Sequence, residues 1–410
     1  MSSSLRLFEA FGIELEYMIV AADSLDVSPI TDRVLHAIAG SYETEVELGD
    51  ISWSNELALH VIELKTTAPV DSLDGLADRF QANVARINEL LLSYDARLLP
   101  TAAHPWMNPH TELKLWPHDY NAVYEAFNRV FDCTGHGWAN LQSVHINLPF
   151  CGDDEFGRLH AAIRLLLPLL PALAASSPIL DHRISGLCDT RLEVYRTNAK
   201  RVPSVSGLVI PEAVFTREAY EREIFAKMYA DIAPLDPDGT LQHEWLNSRG
   251  AIARFDRDAI EIRVLDIQEC PAADLAICSL IIETLRRLVA EEWGRSDAQR
   301  SLTTEQLASI LRSVIRDADQ AVIDDVQFLQ AFGLNAPLTA ADLWRQLAAP
   351  LLASTTEHSP ALRVILDEGP LSRRILKHVA QRPSGDELLD TYRRLSDCLA
   401  TGAMFHADEA

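Results

Sequence analysis

The feature that most restricts the fold of this chain is a regular alternation of acidic and apolar residues. In the segment "GIELEYMIV", Glu14 and Glu16 lie two residues apart and have apolar neighbours on both sides. In a β-strand this spacing places both carboxylates on one face and the apolar side chains on the other. Two carboxylates on one face repel each other and resist desolvation. The segment therefore predicts a strand whose polar face needs a compensating positive charge.

Three further segments show the same alternation. "HVIELKT" carries Glu63, "SVHINLPF" carries His145, and "AIEIRVLDI" carries Glu261 and Arg263. For any one strand, a solvated polar face is a sufficient explanation, because one side of an antiparallel sheet often faces water. Solvated faces usually mix Lys, Thr and Ser with the acids, whereas Glu recurs here. Together the four segments predict a sheet with one apolar face and one face that forms a bowl of carboxylates.

Glu56 needs separate treatment because of its spacing. It lies seven residues before Glu63, so one unbroken strand would place the two carboxylates on opposite faces. A β-bulge, or a loop position for Glu56, would bring both into the bowl. A helix would also align Glu56, His60 and Glu63, but the β-branched residues nearby favour a strand.

A concave cluster of carboxylates with one histidine suits a hard divalent cation. Mg²⁺ and Mn²⁺ prefer oxygen ligands, and such an ion would relieve the repulsion between the acids. The chain contains no HExxH motif or other paired histidines of a zinc hydrolase. Phosphate oxygens of a ligand would complete the coordination of a metal in this bowl.

The basic residues that could hold an anion are concentrated in two places. Arginine suits the bidentate binding of carboxylates and phosphates, although about half of these bases fit an ordinary surface role. Arg263 shares a strand face with Glu261, so it is expected to point into the bowl and hold a phosphate. The first group lies in "RLEVYRTNAKRVPSVSGLVIP", predicted as an irregular loop, and the second lies near the last strand: Arg191, Arg196, Lys200 and Arg201, then Arg249, Arg254 and Arg263.

The distribution of strand and helix patterns predicts an α+β fold. Strand segments are separated by helices up to about residue 275, and from residue 276 to 410 the pattern is helical. We therefore expect a catalytic antiparallel-sheet core in residues 1–275 and a helical C-terminal part, 276–410, packed on it. Whether these are one domain or two stays open. No GxGxxG follows a strand, which argues against a dinucleotide-binding domain.

Composition limits the partners of the protein. A net charge of −24 argues against nucleic acid or an anionic membrane surface as the main partner. The six cysteines form no CxxC pair, and the N-terminus has no secretion signal, so we expect a cytoplasmic protein with reduced thiols. The expected partners are small molecules, and a homo-oligomer stays open.

Five segments, in this order, resemble the glutamate–cysteine ligase family within the glutamine synthetase-like superfamily. They are "GIELEY", "NELALHVIEL", "SVHINLPF", "DTRLEVYR" and "AIEIRVLDIQECP", the last with an E-x-R-x-x-D pattern. The resemblance covers about residues 8–275 and implies a curved antiparallel sheet that forms the active-site bowl. It implies ATP at one end of the bowl, the amino-acid substrate at the other, and two or three Mg²⁺ ions between them, with Mn²⁺ as an alternative.

The resemblance also implies roles for single residues. Glu14, His145 and Glu261 would hold a metal at the ATP phosphates, and Glu56 would join Glu14 and Glu261 at another. Glu16 and Glu63 would hold the metal that faces the carboxylate to be activated. The basic residues would bind the γ-phosphate (Arg263, assisted by Arg254), the nucleotide (Arg249) and the substrate carboxylate (Arg191).

The implied activity is the joining of the γ-carboxylate of glutamate to the amine of cysteine through an acyl phosphate. This would be a step of glutathione biosynthesis. Two alternatives stay open: a ligase that uses another acid or amine, and a non-catalytic nucleotide-binding relative. The chain is nearer in length to the compact group of the family, whereas its "VHINL" is closer to the long enzymes, so the acceptor amine stays undecided.

Overall fold

The centre of the protein is an antiparallel β-sheet. The computed structural model describes residues 5–407, and within that range eight strands form this sheet in the order β2-β3-β4-β1-β6-β10-β9, with β5 paired to the second half of β1. Two small two-stranded sheets, β7-β8 and β11-β12, lie outside it. The strands are β1 (Gly12–Ala21), β2 (Glu45–Leu48), β3 (Ile51–Asn55), β4 (Val61–Thr66), β5 (Ala96–Leu99), β6 (Ser143–Pro149), β7 (Ile179–Leu180), β8 (Arg183–Ile184), β9 (Ala251–Arg254), β10 (Ala259–Asp266), β11 (Val322–Ile323) and β12 (Leu338–Thr339).

Helices connect the strands and make up most of the chain after β10. A helical stretch from Arg217 to Leu235 includes a π-helical segment, Glu221–Phe225, between α9 and α10. The α-helices are α1 (Thr31–Ala39), α2 (Leu76–Leu91), α3 (Pro109–Glu112), α4 (Asn121–Phe131), α5 (His136–Ala139), α6 (Gly152–Leu166), α7 (Pro171–Ala174), α8 (Thr190–Asn198), α9 (Arg217–Tyr220), α10 (Ala226–Ile232), α11 (Pro271–Val289), α12 (Ser296–Ser301), α13 (Thr304–Asp317), α14 (Val326–Gln330), α15 (Ala340–Ala353), α16 (Ser359–Glu368), α17 (Leu371–His378) and α18 (Gly385–Thr401).

The apolar face of the sheet packs into a single large core. Ile13, Leu15 and Ile146 are fully buried there, as the alternation predicts. The helices after β10 contribute Trp344 and Leu362 to the same core, so the C-terminal helices pack directly with the sheet layer. The predicted α+β class, an antiparallel sheet backed by helices, is confirmed.

The strand register aligns the polar face. Glu14 pairs with His145 across β1 and β6, and Glu16 pairs with Glu63 across β1 and β4. Residues that face each other on neighbouring strands have side chains on the same side of the sheet. The acids predicted from separate segments therefore meet on one face.

A β-bulge in β10 changes which residues face the bowl. Between the pairs Ile262–Ile146 and Leu265–Val144, β10 advances three residues while β6 advances two. The extra residue switches the alternation, so Asp266 pairs with Ser143 on the polar face instead of following Ile262 into the core. The bulge is therefore the reason that Asp266 shares a face of the sheet with Glu261 and Arg263.

The prediction of an irregular loop from residue 191 is wrong for its first part, because Thr190–Asn198 form helix α8. Asp189 caps this helix, because its carboxylate accepts a hydrogen bond from the Leu192 N–H at 2.8 Å. The helix lacks a continuous apolar stripe, since Arg191 is buried beside Leu192, so hydrophobic periodicity could not reveal it.

A helix that crosses a membrane must be long and predominantly apolar. In the part of the chain that the structure describes, no helix is both long and apolar enough to cross a membrane.

Candidate active site

His145 lies at the centre of the bowl, which we define by Glu14, Glu16, Glu56, Glu63, His145, Glu261 and Arg263. Its Nδ1 is 2.7 Å from Glu14 Oε2 and 3.6 Å from Glu261 Oε1. Its Nε2 is 3.7 Å from Glu16 Oε1. Two strands, β1 and β10, therefore place three carboxylates around a single imidazole.

Two groups of ligand atoms in the bowl have the spacing of a metal site. Glu14, His145 and Glu261 form one group, and Glu16, Glu63 and His145 form the other. Within each group the potential ligand atoms lie within 4.8 Å of one another. Because carboxylate oxygens dominate the donors, the set fits Mg²⁺ or Mn²⁺ rather than a thiolate-preferring metal.

Glu56 lies in the loop that follows β3, so the two segments that carry Glu56 and Glu63 are not one strand. The loop brings Glu56 close to the other acids, which corresponds to the predicted alternative of a loop position for this residue. Burial, and then the charges of Glu63 and Glu16, raise the pKa of Glu56 well above its ordinary value. A divalent cation beside Glu56 would favour its charged form.

The pKa values of Glu14, Glu63 and His145 in the bowl are shifted in different directions. Burial opposes charge on Glu14, but the hydrogen bond and charge of His145 outweigh it and hold the pKa of Glu14 at about 2. Burial likewise opposes charge on His145, yet Glu14 raises the pKa of His145 to about 9. Burial and Glu14 raise the pKa of Glu63 to about 7. In the absence of metal, His145 partly compensates these acids, together with the Lys65 ammonium group that also lowers the pKa of Glu14 and Glu63.

Neutral hydrogen-bond donors fix the orientation of the carboxylates. The Ser143 N–H and hydroxyl donate to Glu16 Oε2 at 2.6 and 2.9 Å, and the Asn147 amide donates to Glu14 Oε1 at 2.9 Å. Gly12 leaves room for this amide, because a Cβ at residue 12 would lie 3.1 Å from Asn147 Cβ. The second oxygen of each carboxylate faces His145, at 2.7 Å for Glu14 Oε2 and at 3.7 Å for Glu16 Oε1.

Arg263 and Arg254 lie beside Glu261. Arg263 Nε is 3.3 Å from Glu261 Oε1. Burial opposes the charge on Arg263, but the negative charge of Glu261 outweighs burial and raises the pKa of Arg263 above its ordinary value. Arg254 donates to both oxygens of Asp256 at 3.0 and 2.9 Å, and its Nη1 is 3.9 Å from Glu261 Oε2. Both guanidinium groups are therefore oriented at the rim of the bowl.

Arg191, on α8, is held against β10. Its guanidinium donates to the carbonyl oxygens of Val264 and Arg263 at 3.3 and 3.2 Å and to Asp266 Oδ1 at 3.4 Å. The other oxygen of Asp266 accepts hydrogen bonds from the Ser176 N–H and the Ser177 hydroxyl, both at 2.8 Å. The bulge that turns Asp266 toward this side thus positions Arg191.

The structure does not bring Arg249 to the other predicted site residues. Its guanidinium is paired with Glu212 at 2.6 and 2.7 Å and donates to the Ser204 carbonyl at 3.1 Å. Arg249 is buried and lines neither of the cavities described below. These partners occupy the donors of Arg249, so this geometry gives no support to its expected role at the nucleotide.

Two cavities meet at the bowl. The first, called the Glu14 cavity, has a volume of about 530 Å³ and is lined by Glu14, Lys65, Arg254 and Glu261 among others. The second, called the aromatic cavity, has a volume of about 220 Å³. Its lining residues are Glu16, Glu56, Leu57, Tyr124, Phe127, Gly137, Trp138, Leu141, Ser143, His145, Arg191, Tyr195, Asn198, Trp245, Ser248 and Arg263. Glu56, His145 and Arg263 line both cavities, so the bowl joins them.

Lys65 is a functional candidate that the sequence reasoning missed. It lies two residues after Glu63 on the same face of β4 and pairs with Glu14 across the strands. Its Nζ is 2.8 Å from Glu45 Oε2 and 3.3 Å from Glu63 Oε2. The same alternation that identified Glu63 could have identified Lys65. The acids of β1 therefore do have a basic neighbour.

An antiparallel sheet backed by helices is also the fold of a solved glutamate–cysteine ligase. The profile of Glutamate-cysteine ligase family 2 (GCS2) matches residues 10–391. The chain belongs to this family.

Similar proteins agree with this membership. An "Uncharacterized protein" of Archaeoglobus fulgidus is 32% identical over 92% of this chain and 95% of its own length. A "Putative glutamate--cysteine ligase 2" of Bradyrhizobium sp. (strain ORS 278) is 27% identical over 68% of this chain and 62% of its own length. The solved glutamate–cysteine ligase of Francisella tularensis, in complex with AMP, has a TM-score of 0.61 at 16% identity, covering 97% of this chain and 90% of its own. That last likeness concerns the fold.

Proposed function

We propose that this protein is an ATP- and Mg²⁺-dependent ligase that joins the γ-carboxylate of glutamate to an amine. The observation that carries this proposal is the bowl, in which two potential metal sites share His145 between two separate cavities. Two cavities that meet at one cluster of potential metal ligands suit a reaction between a phosphate donor and a carboxylate. The AMP complex of the Francisella ligase supports nucleotide binding, and the larger cavity is the site that we propose for the nucleotide.

Phosphoryl transfer requires mainly positioning and neutralisation of charge. In the first step an oxygen of the γ-carboxylate attacks the γ-phosphorus of ATP, the bond to ADP breaks, and an acyl phosphate forms. Arg263 lines both cavities and would contact the transferred phosphoryl group, with Arg254 beside it. Mg²⁺, held by the bowl carboxylates and His145, would neutralise the phosphate oxygens.

The aromatic cavity is the proposed site of glutamate. Arg191 lines this cavity, and its guanidinium would bind the α-carboxylate of the substrate. Glu16 and Glu63 would then lie at the γ-carboxylate, where a shared cation removes the repulsion between three carboxylates.

The second step requires only the amine. Its nitrogen attacks the acyl carbon, phosphate leaves, and the nitrogen loses a proton to give the amide. A protein nucleophile is unnecessary. Cys133 and Cys188 are buried, and burial raises the pKa of both thiols, so neither is suited to that role.

Two classes of acceptor are candidates. Cysteine is supported by the name of the family and of the Bradyrhizobium relative. An amine other than cysteine is favoured by the aromatic lining of the cavity. The reaction and the roles of the bowl residues are the same in both cases.

The proposal is tested by ADP release. Purified protein is assayed with ATP, Mg²⁺ and glutamate, with and without a panel of amines that includes cysteine. We expect amine-dependent ADP release that is lost when EDTA removes the metal. A protein that binds Mg²⁺-ATP in calorimetry but never releases ADP with any acid and amine would contradict it.

A further inference from the structure

We propose that the amine acceptor of this ligase is an alkyl- or arylalkylamine without a carboxylate, rather than an α-amino acid such as cysteine. This inference rests on the proposed function, because it assumes that glutamate occupies the part of the aromatic cavity beside Arg191. Three observations carry it: the aromatic residues that line that cavity, the number of cations in its lining, and the amide oxygen of Asn198, which has no hydrogen-bond partner among the described residues.

Four aromatic residues, which we call the aromatic wall, contribute to the lining of the aromatic cavity: Tyr124, Phe127, Trp138 and Trp245. The ring centroids of Phe127 and Trp138 are 5.3 Å apart, and those of Phe127 and Trp245 are 5.7 Å apart. The Trp138 indole N–H donates to the Asn198 carbonyl at 3.2 Å, and the Tyr124 hydroxyl accepts from the Asn55 amide at 3.1 Å. Because the Trp138 N–H already has a protein partner and the remaining ring surface is hydrocarbon, the wall offers mainly apolar contact.

The cations of the aromatic cavity are already committed. Among its described lining residues, the basic side chains are Arg191, Arg263 and His145. In the proposed reaction Arg263 contacts the phosphoryl group, and Arg191 binds the α-carboxylate of glutamate. His145 lies between Glu14 and Glu16. A second α-carboxylate, that of an amino-acid acceptor, would be desolvated against aromatic rings without a cation, which is strongly unfavourable.

An uncharged hydrogen-bond acceptor is available for the amine itself. Asn198 Oδ1 is buried and has no hydrogen-bond partner among the described residues. The Asn198 Nδ2 donates to the Gly137 carbonyl at 3.0 Å, which fixes the orientation of the amide. A neutral amine has N–H groups that can donate to this oxygen and a lone pair that attacks the acyl carbon. The aromatic cavity thus provides for an amino group and an apolar body.

The experiment uses matched pairs that differ only in the carboxylate. ADP release is measured with ATP, Mg²⁺ and glutamate, and with cysteine against cysteamine, phenylalanine against phenethylamine, and leucine against isoamylamine. In each pair we expect kcat/KM to be about tenfold or more higher for the amine without the carboxylate, because no cation pairs with the extra charge. A higher kcat/KM for the amino acid in these pairs would overturn the inference.

Hydroxylamine separates failure of the inference from failure of the proposed function. It is small and captures an acyl phosphate as a hydroxamate, so its reaction does not depend on the aromatic wall. Absence of the glutamyl hydroxamate would contradict the proposed function. Hydroxamate formation together with a preference for amino acids would leave the function standing and overturn only the inference.

A substitution on the wall gives a second measurement. Trp245→Arg places a cation beside Phe127, and Trp245→Phe is the matched control that keeps an aromatic ring. We expect the ratio of kcat/KM for cysteine to that for cysteamine to rise about tenfold in Trp245→Arg and to stay close to the wild-type ratio in Trp245→Phe. Equal ratios in the two variants, with both proteins folded by circular dichroism, would count against the inference.

Discussion

His145 determines how the acids of the bowl can coexist in a folded chain. In the absence of metal it pairs with Glu14, and the pKa of His145 rises to about 9 while that of Glu14 falls to about 2. Glu63 responds in the opposite direction, since burial and the charge of Glu14 raise its pKa to about 7. The bowl is therefore under-compensated, and a divalent cation is the species that would complete it.

The first prediction concerns Glu261 and Arg263. Glu261→Gln removes a charged ligand, and Arg263→Ala removes the guanidinium shared by both cavities. We expect each to lower kcat for ADP release by at least about 10²-fold, as does the loss of one group that stabilises a transition state. Glu218→Gln is the control, because this side chain is 90% exposed on α9. Wild-type rates in both site variants, with an unchanged melting temperature, would contradict the assignment.

Most bowl residues follow from alternation alone. Glu14, Glu16, Glu63, His145 and Glu261 each lie at a polar position of a strand, so their common face could be predicted from the sequence. Arg249 could not be excluded in that way, because its partner Glu212 is 37 residues away in the chain. Nothing in the local sequence indicates that Arg249 and Glu212 form an ion pair.

At the scale of elements, the bulge in β10 and the capped helix α8 form one unit. The bulge turns Asp266 toward the bowl side, and Asp266 accepts from the guanidinium of Arg191 near the start of α8. Neither element has a strong sequence signal, because one extra residue in a strand and a helix without an apolar stripe both lack periodicity. Their joint effect is to orient Arg191 at the aromatic cavity.

The second prediction tests this positioning. Asp266→Asn keeps the shape of the side chain but removes the charge that Arg191 contacts. We expect KM for the acid substrate to rise about tenfold, equivalent to about 1.4 kcal/mol, while KM for ATP stays unchanged. Asp258→Asn, in the exposed turn between β9 and β10, is the matched control. Equal changes in both KM values would instead indicate a general loss of structure.

At the scale of the whole molecule, a buried ion pair joins the end of the sheet to the C-terminal helices. Arg374 on α17 contacts Glu269, which follows β10, and both side chains are 0% exposed. Arg374 also donates to the Phe405 carbonyl at 2.6 Å and to the Gly369 carbonyl at 3.2 Å. The helices after β10 are thus tied to the strand that carries Glu261.

The third prediction concerns this ion pair. Arg374→Met leaves Glu269 buried without its partner, and we expect the free energy of unfolding to fall by about 3–5 kcal/mol. Adding Glu269→Gln removes the uncompensated charge, so the double variant should regain much of that loss. Urea denaturation of both proteins measures the difference. A double variant no more stable than Arg374→Met would show that packing, rather than charge, dominates.

The fourth prediction is a loss of stability in acid. His104 is buried, its Nδ1 accepts hydrogen bonds from the N–H groups of Trp106 and Met107, and its Nε2 donates to the Leu25 carbonyl. Burial therefore lowers the pKa of His104 to about 4. The unfolded chain, with a pKa near 6.5, binds the proton first, so stability is full above about pH 6.5 and falls as the pH is lowered toward 4.

The magnitude follows from the shift. At about 1.36 kcal/mol per pKa unit, His104 should contribute a loss of about 3 kcal/mol between pH 6.5 and 4. The free energy of unfolding, measured by urea at several pH values, should depend less steeply on pH in His104→Gln than in the wild type. His110→Asn, at an exposed position, should leave the slope unchanged. Identical slopes in all three proteins would be the contrary outcome.

Alternation along the chain is sufficient to predict the four strands that carry the acids and His145, their apolar and polar faces, and most of the residues of the bowl. These depend on a two-residue period, which is a local property of the chain. Three features could be recognised only in the folded chain: Glu56 reaches the bowl from a loop, Asp266 joins its surroundings, and Arg249 pairs with Glu212 away from it. These outcomes depend on a bulge, on loop paths and on partners far apart in sequence, and contacts of that kind leave no periodic signal.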